Sequence, residues 1–127
     1  MPFSVLTVDD DAATHLVLSL LIQIENRMAA SAPAFNGHEA LERVAAECPD
    51  VIISDVNMPG LGGLQALPLM RDACPEAVIA LYSSHPAART GLHLGADAVF
   101  DKSADDPAEM LSELLRLCET AGRRKDG

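Results

Sequence analysis

The chain has 127 residues and a formal net charge of −10, which leaves room for one domain and not for two. That acidity excludes attraction to nucleic acid or anionic membrane through the overall field, and no apolar run reaches the ~18 residues of a membrane span. Hydrophobic residues, 49% of the chain, suffice to fill a core.

Met1 to Val8 lacks a basic start and a long apolar stretch, so no signal peptide is expected and the chain reads as a soluble cytoplasmic protein. Phe3 to Val8 is a predicted strand, rich in β-branched residues and stopped by Asp9, Asp10 and Asp11. A helix follows, with Asp11 as its N-cap. Leu16, Val17, Leu20, Leu21 and Ile24 recur at helical spacing and form one apolar face. Met28 to Ala32, rich in small residues, is a predicted strand expected at a sheet edge. Asn36-Gly37 makes a turn, and His38 to Glu47 reads as a helix with Ala40, Leu41, Val44 and Ala45 inward.

Val51 to Asp55 is a continuous apolar run ending on an acid, the pattern of a strand covered on both faces. Met58 to Gly63 is a loop. The helix from Leu64 to Ala73 carries Pro68, which removes a hydrogen bond, so a late start or a bend is expected. Val78 to Tyr82 is another buried strand. Pro86 to Leu94 is a short helix stopped by Gly95, Ala98 to Phe100 a short strand, and Pro107 opens a last helix with Met110, Leu111, Leu114, Leu117 and Cys118 on one face. Residues 1–121 read as one domain and 122–127 as a polar tail whose Arg123-Arg124-Lys125 is solvated. Cys48, Cys74 and Cys118 stand in no metal-binding spacing and are expected to be small buried hydrophobes. His15, His38 and His93 are expected on the surface or on helix faces.

Strand and helix alternate five times, which implies a doubly wound α/β sheet. In such a sheet ligands bind at the carboxyl ends of the strands, where the winding reverses. With strand order 2-1-3-4-5, Asp9, Asp10 and Asp55 converge there. Two such charges ~4 Å apart repel by about 4 kcal/mol at an effective dielectric near 20. A proton or a divalent cation must offset this, and an all-oxygen donor set favours Mg²⁺. Lys102 adds a positive charge opposite. Such a site fits phosphoryl-transfer chemistry, with Asp55 as the candidate nucleophile and Ser83 as a hydroxyl donor.

Val8-Asp9-Asp10-Asp11, Ile53-Ser54-Asp55-Val56-Asn57-Met58-Pro59-Gly60, Tyr82-Ser83-Ser84 and Lys102 together resemble the receiver domain of bacterial response regulators. The resemblance implies a flavodoxin-like fold of five parallel strands and five helices, with Asp55 as phosphoacceptor. It implies Mg²⁺ held by Asp10 directly, by Asp9 through water, by Asp55, and by the backbone carbonyl of Asn57. Ser83 takes the place of the switch hydroxyl and Lys102 that of the family's lysine. Asn57 and His85 stand at the positions that tune hydrolysis of the acyl phosphate. The implied donor is a sensor histidine kinase or a histidine phosphotransfer protein. The implied output partner binds the face of the fourth helix, fifth strand and fifth helix, with neither nucleic acid nor membrane involved.

Four departures stand out. Ser103 follows Lys102 where proline is usual, and Val99 stands where the switch aromatic is usual, with Phe100 one residue off and on the opposite face. The segment from Ser83 to Gly95 is about one helical turn short, and Gly62 replaces a common Asp. On this reading the chain is a switch that catalyses only its own phosphorylation and dephosphorylation. Two rivals are a degenerate receiver serving as a phosphorylation-independent interaction module and an aspartate-dependent phosphatase, the second lacking any substrate loop.

Overall fold

A computed structural model describes residues 2–126, with side chains through Thr120. The strands are β1 (Phe3–Val8), β2 (Met28–Ala30), β3 (Val51–Ser54), β4 (Val78–Tyr82) and β5 (Ala98–Phe100). The helices are α1 (Ala12–Ile24), α2 (Gly37–Ala46), α3 (Gly63–Ala73), α4 (Gly91–Leu94) and α5 (Pro107–Asp126). All strand pairs are parallel and the sheet order is β2-β1-β3-β4-β5, as expected. The tail expected at 122–127 lies outside the residues whose side chains are described. No helix among the described residues is long and apolar enough to cross a membrane.

The pleat sends alternate residues to two cores. Leu6, Val8, Ile52, Ile79 and Leu81 pack with Ala40 and Val44 of α2 and Ala66, Leu67 and Met70 of α3. Val5, Val51, Ile53, Val78, Ala80 and Tyr82 pack with Leu18 and Ile22 of α1 and with Met110, Leu111 and Leu114 of α5. Both faces of β3 and β4 are therefore covered, which is why these strands read as unbroken apolar runs.

Several expectations need correction. The apolar face drawn on α1 is largely turned outward. The helix buries His15, Leu18 and Ile22, while Leu16, Val17, Leu20 and Ile24 are exposed, Ile24 to 80%. An uncharged helix is apolar nearly all round, so spacing alone does not select the side that meets the sheet. His15 lies on a helix face, one of the two settings expected for it, but on the buried one. On α2, Ala45 is exposed where an inward position was expected, while Ala40 and Val44 are buried and Leu41 partly so.

Helix α3 does not wait for Pro68. It starts at Gly63, with Gly63 N–H bonded to Val56 O at 2.9 Å and Ala66 N–H to Gly62 O at 3.0 Å. Burial of Ala66, Leu67 and Met70 outweighs the one hydrogen bond that the proline removes. After β4 the chain makes a 3₁₀ turn (Pro86–Thr90) and the single turn of α4, ended by Gly95 at φ 120°, a conformation open to glycine.

The cysteine reading also changes. Cys48 and Cys74 form a disulfide, Cα–Cα 5.6 Å. Cys48 is exposed, whereas Cys74 and Cys118 are buried as expected. The bond joins the loop after α2 to the C-cap of α3, two helices that share one face of the sheet.

Candidate functional site

β1 and β3 are neighbours, and each ends in acid at the same edge of the sheet. Asp55 N–H donates to Val8 O at 2.8 Å, which locks the end of one strand to the other. Carboxylate oxygens of Asp9, Asp10 and Asp55 consequently lie within 4.8 Å of one another. Lys102 reaches in from the loop after β5. Its Nζ donates to Asp9 Oδ2 at 2.6 Å and to Asp55 Oδ2 at 3.1 Å. The Asp9 side chain is 4% exposed, that of Asp55 12% and that of Lys102 25%.

The backbone supports this cluster. Asp9 Oδ1 accepts the Asp11 N–H at 2.9 Å, and Asp55 Oδ1 accepts the Val56 N–H at 2.7 Å. The Asn57 N–H approaches the same Asp55 oxygen at 3.5 Å, and its residue is exposed at the mouth of the site. Behind Asp55 the chain returns so closely that a Cβ on Gly63 would stand 1.9 Å from Asp55 O. Only glycine lets α3 begin there without displacing the acid.

The missing Lys-Pro turn has a replacement that the sequence reading did not find. Asp101 Oδ1 accepts from Ser103 N–H at 2.8 Å and from the Ser103 hydroxyl at 2.7 Å, and Asp105 Oδ2 accepts the Asp101 N–H at 2.6 Å. These short-range bonds fix the loop that carries Lys102. The Asp-x-Ser spacing was the available signal.

Burial pushes the Asp9 carboxyl above the usual carboxylate range; Lys102 and the Asp11 amide reduce that effect without cancelling it. Burial alone would lower Lys102, but hydrogen bonds to Asp9 and Asp55 outweigh it and hold the ammonium above the ordinary lysine value. Asp9 supplies a sign that can be checked. A carboxyl whose folded pKa is raised binds its proton more tightly when folded, so stability falls as pH rises through that value. Asp9→Asn should therefore raise the melting midpoint of the metal-free protein by a few degrees at neutral pH. The gain should vanish in acid, where Asp9 is protonated in folded and unfolded chains alike. Thermal melts from acid to neutral pH, with a chelator present, measure it.

Ser83 is buried at the end of β4, and its hydroxyl accepts the His85 N–H at 3.1 Å. His85 opens the 3₁₀ turn by accepting the Ala87 N–H on Nδ1 at 3.0 Å. Ser83, His85, Val99 and Phe100 line a cavity of about 220 Å³ beside the acidic cluster's edge of the sheet. Val99 packs on the α3 side and Phe100 on the α1–α5 side, so the two do lie on opposite faces. The acids and the lysine thus meet directly, while Ser83, His85 and Val99 form a separate group around the cavity.

The family model for the response regulator receiver domain matches residues 5–115. The chain belongs to that family. Among curated relatives, this receiver is 37% identical to a protein-glutamate methylesterase/protein-glutamine glutaminase of Moorella thermoacetica, over 91% of the chain and 28% of the relative. It is 32% identical to the protein of the same description from Vibrio parahaemolyticus, over 94% of the chain and 33% of the relative. The receiver spans about a third of the length of these relatives. Among solved structures it resembles the response regulator domain of Thermotoga maritima CheB, with TM-score 0.84 and 28% identity over 94% of this chain and 98% of that one. The CheY-like receiver of Methanospirillum hungatei, at 20% identity and TM-score 0.88 over the whole of both chains, shares the fold.

Proposed function

We propose that this receiver is a phosphorylation-controlled switch whose phosphoacceptor is Asp55. The observation that carries the reading is the gathering of Asp9, Asp10 and Asp55 within 4.8 Å, faced by Lys102. Three carboxylates and one ammonium leave excess negative charge in a partly buried space, and hard oxygen donors suit Mg²⁺. The residues therefore fit that ion. Asp10, Asp55 and the Asn57 carbonyl would hold it, with Asp9, whose oxygens already take Lys102 and the Asp11 amide, acting through water. Bound there, Mg²⁺ would neutralise charge on a phosphoryl group.

Asp55 then attacks the phosphorus of a phosphohistidine on a sensor kinase or phosphotransfer protein. An O–P bond forms, the P–N bond breaks, and the electron pair returns to the donor imidazole, which takes up a proton. Lys102 moves from the carboxylate to a phosphoryl oxygen, and the Ser83 hydroxyl donates to another. Asn57 and His85 flank the water that later attacks phosphorus, restoring the Asp55 carboxylate and releasing phosphate. Recruitment of Ser83 and Lys102 biases a two-state equilibrium on the face of α4, β5 and α5. Val99 in place of an aromatic weakens or reroutes that coupling. Relatives that carry an esterase make a catalytic domain of that class one partner for this face. The same reading places the chain in the cytoplasm and gives it no external substrate.

Incubation with acetyl phosphate and Mg²⁺, followed by intact mass, tests the switch. The expected result is a gain of one phosphoryl group in the wild type and none in Asp55→Ala. No uptake by the wild type would instead favour the phosphorylation-independent interaction module.

A further inference from the structure

His15 is buried where the other histidines among the described residues are exposed, and no step of phosphoryl transfer uses it. Its Nδ1 lies 2.7 Å from the Thr7 hydroxyl and its Nε2 2.7 Å from the backbone oxygen of Asp9. A carbonyl oxygen only accepts, so Nε2 carries a proton and donates it. In the neutral ring Nδ1 then accepts from Thr7. Phe35 packs on the ring at 4.6 Å between centroids. Strand, helix and loop thus fix one imidazole.

The bond to Asp9 O acts on the peptide that joins Asp9 to Asp10. The Asp9 side chain has partners of its own, Lys102 and the Asp11 amide. Asp10 differs: it is exposed, and its carboxylate makes no hydrogen bond to another described residue. Its approach to Asp9 and Asp55 depends on the backbone that carries it. An apolar residue at position 15 would fill the space beside Leu18 and Ile22 without the cost of burying two ring nitrogens. The polar ring, satisfied on both nitrogens, does what an apolar residue does not: it holds a carbonyl.

We propose that His15 is a positioning residue that sets the Asp9–Asp10 peptide, and so aims the Asp10 carboxylate at the cation site. This rests on the reading that the three carboxylates hold Mg²⁺. Groups that orient a ligand from behind typically change metal affinity by tenfold or more when removed. Calorimetric titration of the metal-free protein with Mg²⁺ tests the proposal. His15→Leu should weaken binding about tenfold. His15→Gln, whose amide N–H reaches the same carbonyl, should stay within about twofold of the wild type. A folded Leu variant with wild-type affinity overturns the proposal. So does a Gln variant as weak as Leu. Should the Leu variant not fold, ¹⁵N spectra of the wild-type ring decide. The Nε2–H tautomer is expected, and the Nδ1–H tautomer overturns the assignment. A wild type without Mg²⁺ affinity defeats the cation-site reading itself and the His15 role with it, whereas wild-type binding untouched by His15→Leu defeats the His15 role alone.

Discussion

Lys102→Met is expected to bind Mg²⁺ several-fold more tightly than the wild type and yet to accept a phosphoryl group about a hundredfold more slowly. The two signs differ because the ammonium acts at different moments. Before reaction it sits 2.6 Å from Asp9 and 3.1 Å from Asp55, where it competes with a dication for the same oxygens. During transfer it is the charge that meets the phosphoryl oxygens, and removal of one such donor costs about 10²–10³ in rate. Calorimetry with Mg²⁺ and the initial rate of phosphorylation by acetyl phosphate measure the two effects on one preparation. A variant that lost Mg²⁺ affinity would show that Lys102 organises the acids and does not compete for them. Without metal the variant should also be less stable, by about 1–2 kcal/mol, less than for a fully buried pair because water reaches the lysine. The wild type carries the matching pH signature. A lysine raised above 10.5 when folded gives stability that is whole below that pH and is lost as pH climbs through the folded value.

Reduction of the Cys48–Cys74 bond is the second large effect. The cysteines are 26 residues apart, and the ring they close contains β3, Asp55, the Asn57–Gly62 loop and α3. On chain-entropy grounds a ring of that size is worth about 3.5 kcal/mol. In a domain of this length, that is roughly 10–15 °C in melting midpoint. Calorimetric scans with and without a phosphine reductant should differ by that amount. Cys48→Ser should melt at the reduced value under both conditions. Phosphorylation of the reduced, still folded protein should be little altered. The bond lies at the loops entering β3 and β4, at the opposite end of the sheet from the acids. Equal midpoints in both scans would mean that the pair contributes nothing to stability.

Much of the site was legible because its members sit at strand ends. A run of apolar residues that stops on an acid announces both the strand and the edge where the acid will lie, and Asp9, Asp10, Asp55 and Lys102 all do meet there. The alternating order of elements likewise implied the parallel sheet. What escaped notice depends on contacts that leave no periodic trace. His15 meets Thr7 across a turn and Asp9 through a backbone oxygen, which any residue possesses. The Cys48–Cys74 contact exists because α2 and α3 pack on one face, a fact about three dimensions rather than about spacing. The outward leucines of α1 show the limit from the other side. Seven large aliphatic residues crowd Leu16 to Ile24, and only the sheet decides that Leu18 and Ile22 face it.

That helix has a colloidal side. From Ala12 to Ile24 it carries no charged side chain, so Leu16, Val17, Leu20 and Ile24 form a greasy ridge without gatekeepers of its own. Mutual repulsion between molecules of net charge −10 keeps such ridges apart. Acid that titrates the carboxylates, or salt that screens them, removes that protection while leaving the ridge unchanged.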